Sequence, residues 1–311
     1  FMPQSSVKEL LAKFILKEPE ISELKAGFYE NNNAEVFMLR LDKVHPVISG
    51  NKLFKLAFFL EEAIISSHKN VITFGGAYSN HLAAAAFACK KLDLNCIGIV
   101  RGEMPATFSP TLLFCKENGM RIEFISRESY KKKEEIEFSL ELKNKYGEHV
   151  LIPEGGFSIM GKEGASLINK YISDKNFTHI CLPVGTATTI AGITDGSPGK
   201  NEVIGFSVLK DFKDIEKRFF ALNVNPEKKY TLIGDYHFGG YAKKRNELIL
   251  FMNNFYSDHK IPLDFVYTGK MMFGVEDLIS KKYFPNGFKI LCIHTGGLQG
   301  NNSLPLGTLI Y

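Results

Sequence analysis

The sequence predicts an α/β fold built on open parallel sheets, and three observations predict it. Eight short runs rich in Val and Ile are apolar without alternation, the pattern of strands covered on both faces. Amphipathic stretches of helical period lie between them, so strands and helices alternate as parallel crossovers require. Several runs end in glycine turns, and open sheets bind ligands in a crevice at the carboxyl ends of their strands. A chain of 311 residues is long enough for two such domains.

Each element follows in order. The first helical pattern, Leu53–Ser67, places Leu53, Leu56, Ala57, Leu60, Ala63 and Ile64 on one stripe. Ser49, Gly50, Asn51 and Lys52 stand at its head. A helix N-terminus disfavours a cation, which lowers the pKa of Lys52 and suits an amine nucleophile. A solvated lysine is the plainer alternative, and Lys55, one turn on, could serve as well. The run Val71–Phe74 leads into Gly75, Gly76, Ala77, Tyr78, Ser79, Asn80 and an Ala-rich helix, His81–Lys91. The glycines admit a ligand close to the backbone, and Ser79 or Asn80 can cap the helix while the other faces the crevice. Cys96–Val100 and Arg121–Ile125 come next, followed by a charged helix over Tyr130–Tyr146.

His149–Ile152 runs into Pro153, Glu154, Gly155 and Gly156, a tight turn suited to a domain crossover. His179–Val184 precedes Gly185, Thr186, Ala187, Thr188 and Thr189 at a helix start. Backbone N–H groups, the helix dipole and hydroxyls together suit a phosphate dianion, although an N-capped helix without ligand reads equally well. Neither a Walker loop nor GxGxxG is present, which weighs against ATP and dinucleotides. Val203–Val208 and Tyr230–Ile233 precede a helix over Lys243–His259 that carries Leu248, Phe251, Met252 and Phe255. Lys289–Ile293 closes on His294, Thr295, Gly296 and Gly297, with His294 read as structural.

Composition narrows the function. Hydrophobic residues make up 45% and charged ones 23%, an ordinary globular balance. The mild net charge of +4 is no nucleic-acid footprint, so nucleic acid is not expected as a partner. Five cysteines, an odd number without CxxC spacing, argue against a disulfide framework and a zinc centre, and no other metal site is expected. Reduced, buried thiols suit a cytoplasmic protein. No apolar run reaches a membrane-spanning length, and the segment FMPQSSVKEL has no signal-peptide core, so neither feature is expected. A candidate amine, a hydroxyl-rich loop and glycine turns at strand ends together suggest pyridoxal phosphate, the lysine bonding the cofactor and the loop holding its phosphate.

At this point the motifs become specific. SGNKLFKL (49–56), FGGAYSNHLAAAA (74–86), IPEGG (152–156), the loop at 185–189, FGGYA (238–242), LDFVYTGKMMFGVEDLI (263–279) and CIHTGG (292–297) occur in order. As a set they resemble the D-cysteine desulfhydrase / 1-aminocyclopropane-1-carboxylate (ACC) deaminase family of PLP enzymes. The resemblance runs from about Asp42 to Gly300. It implies the tryptophan-synthase-β-like fold, fold type II, with two open parallel-sheet domains. The expected division is a small domain at 54–153 inserted into a large PLP-binding domain made of 1–53 and 154–311.

The resemblance also implies roles. Lys52 would be the Schiff-base lysine and the base at Cα. Asn80 would bond the cofactor's phenolic oxygen. Ser79 and His81, with nearby amides, would receive the substrate carboxylate, and Tyr78 would shape the pocket beside them. Gly185, Thr186, Ala187, Thr188 and Thr189 would hold the phosphate. Tyr241 and Tyr267 would be the two active-site tyrosines, with Thr268 and Thr295 near the ring, one of them meeting the pyridine nitrogen. A homodimer is implied as well.

Two positions separate the branches. ACC deaminases carry Glu after the second tyrosine and Leu in the His-x-Gly-Gly turn. Thr268 and Thr295 stand here instead, as in D-cysteine desulfhydrases, and threonine offers far less proton chemistry than glutamate. The implied activity is α,β-elimination from D-cysteine to pyruvate, ammonia and sulfide. ACC deamination to 2-oxobutyrate and ammonia is the alternative, and a non-catalytic PLP-family binding protein a further one. The chain departs from the family at Ser49 (usually Gly), Phe54 (usually Arg) and Tyr78 (usually Gln), and its phosphate loop has less glycine than usual. These departures touch the substrate pocket more than the cofactor site.

Overall fold

The computed structural model describes residues 4–311 apart from 67, 173, 174 and 200. Its strands are β1 (Ile21–Glu23), β2 (Glu35–Arg40), β3 (Asn70–Gly75), β4 (Asn95–Arg101), β5 (Arg121–Ile125), β6 (Val150–Ile152), β7 (His179–Val184), β8 (Glu202–Ser207), β9 (Tyr230–Ile233) and β10 (Lys289–His294). They form a six-stranded sheet in the order β1-β2-β10-β7-β8-β9 and a four-stranded sheet in the order β5-β4-β3-β6. Every pairing is parallel except β1 with β2. The eight expected strands are all present, and β1 and β2 add the edge that they did not include. We propose that the two domains follow these sheets, the smaller taking 54–153.

Burial explains the continuous apolar runs. All six residues of β7 are buried, because helices cover both faces of the larger sheet. Helices Asn246–His259 and Thr268–Ser280 pack one face through Leu248, Met252, Met271 and Val275. Leu182, Ile190 and Ile193 lie on the other side, in a core that continues into the smaller sheet through Leu53, Phe54, Leu56 and Leu60. The helix Asn51–Ile65 therefore belongs to the common core. Its five large buried side chains, Leu53, Phe54, Leu56, Phe59 and Leu60, contribute about 2 kcal/mol each, roughly 10 kcal/mol in gross burial. That anchorage holds whatever stands at the head of the helix.

Three expected helices differ. The predicted Leu53–Ser67 begins at Asn51, and its expected last residue, Ser67, lies outside the described residues. The predicted Tyr130–Tyr146 is two helices, Arg127–Lys131 and Ile136–Tyr146. Between them Lys133 leaves the helical path, with its amine 5.0 Å from the centre of the Tyr130 ring and 3.5 Å from Glu154. The helix expected from Lys243 starts at Asn246, because Arg245 is extended (φ −127°, ψ 161°) and serves as its N-cap.

Gly50 turns the chain into the helix Asn51–Ile65 with a φ of +71°. A Cβ there would stand 1.9 Å from the Thr295 carbonyl oxygen, which is backbone and cannot yield. Gly50→Ala is expected to cost about 3 kcal/mol, from left-handed strain plus overpacking. Urea unfolding of the cofactor-free protein measures it, and an unchanged midpoint would refute it.

Candidate active site

Loops after β3, β6, β7 and β10 open onto one cavity of about 760 Å³, joined by the first turn of the Asn51–Ile65 helix and by Tyr241 and Tyr267. The cavity lies at the carboxyl ends of strands from both sheets, where open α/β sheets gather their ligands.

Lys52 stands in that first turn. Its Nζ donates to Asn51 Oδ1 at 2.6 Å and lies 5.5 Å from the centre of the Tyr267 ring. Burial lowers its pKa to about 8, while the Asp264 carboxylate pulls the other way. Desolvation, not the helix terminus, is thus the larger cause. The outcome is an amine with a substantial neutral fraction near neutral pH. Asn51 also donates through Nδ2 to Thr189 Oγ1 at 2.7 Å, so one side chain ties the lysine to the hydroxyl loop.

That loop opens the helix Thr188–Gly196. Ala187 takes φ +69°, turning the chain where glycine is the usual solution. Gly185, Thr186, Ala187 and Thr189 line the cavity; Thr188 is fully buried behind them, its Oγ1 3.1 Å from Thr186 Oγ1. Lys55 approaches from the opposite wall, buried, its Nζ donating to the Gly155 carbonyl at 2.6 Å. A Cβ on Gly155 would meet the Thr186 side chain at 2.8 Å, so this cation lies close to the loop. Burial and the neighbouring Lys52 hold the Lys55 pKa well below its ordinary value. Hydroxyls, helix N–H groups and the Lys55 amine could together hold a phosphate, and a dianion there would favour the charged form of Lys55.

The loop after β3 offers a second set of groups that could hold an anion. Ser79 caps the helix Asn80–Lys91, its Oγ accepting from the Leu82 N–H at 3.3 Å, which leaves its own proton free to donate. His81 differs from expectation. The Thr73 hydroxyl donates to the Ile152 carbonyl, so His81 Nε2 must donate to Thr73, at 2.9 Å. Nδ1 is then a lone-pair acceptor, and it is buried with no partner. Burial first, then Lys55 and Lys52, lower the His81 pKa to about 3. A neutral ring with an acceptor facing inward cannot donate to a carboxylate. Ser79 Oγ and the free N–H groups of Asn80 and His81 remain for that task.

Asn80 donates to the Gly297 carbonyl at 3.3 Å, and its Oδ1 is buried without a partner. Two unpartnered buried acceptors, on Asn80 and His81, thus line the same cavity. Tyr267 and Tyr241 face each other edge to face, hydroxyls 3.5 Å apart. Burial, with the neighbouring Tyr241 next, raises the Tyr267 pKa well above the usual range, so it stays a proton donor. Tyr241 and Tyr78 stand half exposed at the rim.

Thr295 lines the cavity, but Thr268 does not. The Thr268 hydroxyl donates instead to Asp264 Oδ1 at 2.7 Å. Asp264, fully buried, also accepts from the N–H groups of Val266 (3.0 Å), Tyr267 (2.8 Å) and Thr268 (2.9 Å). Sequence reasoning missed this carboxylate, together with Asn51 as the bridge and the Gly155 carbonyl as the Lys55 anchor. An acidic residue four positions before a threonine at a helix start was its only local signal.

A primary amine, a candidate phosphate cradle with its own cation, and unpartnered polar atoms between them fit pyridoxal 5'-phosphate. Lys52 would bond it, Lys55 and the 185–189 loop would hold its phosphate, and Asn80 and Thr295 would border its ring.

Comparison with known proteins agrees. The family described as "Pyridoxal-phosphate dependent enzyme" matches residues 22–296. The "Bifunctional D-cysteine desulfhydrase/1-aminocyclopropane-1-carboxylate deaminase, mitochondrial" of Arabidopsis thaliana is 32% identical over 297 residues, covering 86% of this chain and 74% of that one. A crystal structure described as an ACC deaminase homologue superposes with a TM-score of 0.80 at 28% identity, over 97% of both chains. Threonine deaminase isoform 2 of Solanum lycopersicum shares the fold at 16% identity, with a TM-score of 0.62 over 95% of this chain and 85% of its own.

Proposed function

The chain belongs to the pyridoxal-phosphate-dependent enzymes, in the group of ACC deaminases and D-cysteine desulfhydrases, and we propose that it is a deaminating lyase eliminating thiol from Cβ of a small amino acid, D-cysteine first among them. PLP, when held by Lys52, Lys55 and the 185–189 loop, would supply an electron sink that acidifies the substrate Cα–H and favours loss of a β-substituent. The protein supplies the rest. Lys52, neutral in part near pH 8, takes the proton from Cα. Ser79 and the helix N–H groups hold the substrate carboxylate. Tyr267, kept protonated by burial, gives a proton toward the departing sulfur, with Tyr241 beside it. Tyr78 closes the rim next to the carboxylate site and limits side-chain size. Pyruvate, ammonia and sulfide are the products.

The observation that carries the reading is the state of Thr268 and Asp264. Thr268, not a carboxyl residue, directly follows Tyr267, and the Asp264 carboxylate behind it is occupied by four donors and fully buried. Opening a cyclopropane needs proton delivery to a ring carbon, and the Asp264 carboxylate beside Tyr267, held by four donors, cannot supply it, which leaves the weakly acidic Tyr267 and the more distant loop residue Glu154 among the acids lining the cavity. The second reading, ACC deamination, is favoured by the names that these relatives carry. The two separate in one assay on the PLP-loaded protein. Sulfide and pyruvate from D-cysteine, with 2-oxobutyrate from ACC at least about a hundredfold slower, is the expected result; faster release from ACC would reverse the assignment. A homodimer is proposed on the family resemblance and a cytoplasmic location on the five reduced, buried cysteines, and sedimentation of the loaded protein tests the first.

A further inference from the structure

We propose that Lys270 is a positioning residue that fixes Tyr241 over the site by gripping the loop that carries it. The inference rests on the reading that Tyr241 faces the substrate. Lys270 is 1% exposed, and its Nζ donates to the carbonyls of His237, at 2.9 Å, and Gly240, at 2.8 Å. It forms no ion pair among the described residues. A buried ammonium satisfied only by backbone carbonyls is costly, and a methionine would fill the space without that cost. Packing therefore does not account for a lysine.

The loop accounts for it. Phe238, Gly239, Gly240 and Ala242 have φ of +52°, +98°, +115° and +53°. Two of the four carry side chains in a region such residues rarely occupy, so the conformation persists only where its surroundings impose it. Both principal constraints come from one helix, Thr268–Ser280. Lys270 takes two of the loop's carbonyls, and Phe273 meets Phe238 edge to face with ring centres 5.0 Å apart. Tyr267 caps the same helix, one turn before Lys270. One rigid element therefore carries the first tyrosine and clamps the segment of the second, which sets the 3.5 Å separation of their hydroxyls. Burial lowers the Lys270 pKa to about 8, with Asp264 opposing, and the two carbonyls favour its charged form.

The test is Lys270→Met, with Lys270→Gln as a second variant retaining one donor group. Hydrogen exchange of residues 237–243 in the PLP-loaded protein should accelerate about tenfold or more, while exchange across Thr268–Ser280 stays unchanged. With D-cysteine, kcat should fall about a hundredfold while KM changes less than about threefold. Tyr241→Phe added to Lys270→Met should then cost less than about twofold more, because the two act as one unit. Lys270→Arg should recover most of the activity. Unchanged exchange at 237–243, or independent losses from the two substitutions, would overturn the proposal. Exchange is read without substrate. Accelerated exchange with no turnover of D-cysteine by the unaltered enzyme would keep the anchor and remove the substrate assignment.

Discussion

Lys52→Ala abolishes turnover and the visible absorbance band of the lysine-bound cofactor while leaving the fold intact. The loss of turnover is expected to be at least about 10³-fold, since one residue both attaches the cofactor and moves the Cα proton. The fold survives because Lys52 is not on the buried stripe; its neighbours Leu53, Phe54 and Leu56 hold the helix in the core. Retained turnover would remove the mechanism. The pH dependence has a definite sign. The folded amine titrates near 8, below its ordinary 10.5, because burial disfavours the ammonium. The unfolded chain therefore binds more protons between about 8 and 10.5, so this group makes stability rise with pH across that window. Below it the buried cation is a standing cost. Cofactor-free Lys52→Ala should consequently be more stable than the unaltered protein at pH 7, and the difference should shrink as pH rises toward 10. Capture of PLP by the cofactor-free protein should accelerate as pH rises through 8 and then level off, following the neutral amine. A rate independent of pH between 7 and 9 would show that Lys52 does not titrate there.

The candidate site residues that lie on the elements expected from sequence share one property: their placement is local. Lys52 follows a glycine turn at a helix head, the hydroxyl loop follows a strand, and Ser79 caps the helix it precedes. Each is a strand-end or helix-end device whose geometry is settled within a few residues. What sequence did not show depends on distant backbone. The donor role of His81 Nε2 is set by Thr73, whose hydroxyl is committed to β6. Thr268 was expected at the cofactor ring, and its hydroxyl turns to Asp264 because a buried carboxylate outcompetes a neutral acceptor. Lys133 leaves its helix for Glu154 across a loop, a tertiary ion pair that no local pattern shows. The strand β2 has a continuous apolar stretch, Val36–Leu39, but only one β-branched residue, whereas the expected strands stood out as runs rich in Val and Ile.

Asp264 has the second large effect, and its role is electrostatic as well as structural. Asp264→Ala leaves the N–H groups of Val266, Tyr267 and Thr268 and the Thr268 hydroxyl without their acceptor, all beside a fully buried site. Losing one charge-assisted acceptor from several buried donors costs about 3–5 kcal/mol. Asp264→Asn keeps the shape and one acceptor oxygen but turns an amide N–H toward groups that can only donate or must now rotate, so about 2 kcal/mol is expected. Both should appear as lowered urea midpoints. The catalytic consequence is separable from this loss. Asp264 is the charge that holds the Lys52 pKa up against burial, so removing it drives that pKa further down. PLP capture by folded Asp264→Asn should therefore reach its plateau at lower pH than in the unaltered protein. Tyr267 receives its backbone restraint from the same carboxylate, so kcat should fall in the variant even where capture is faster. Faster capture with slower turnover is a combination that simple unfolding cannot produce, because unfolding lowers both. A capture profile unmoved in pH would mean that Asp264 only caps its helix.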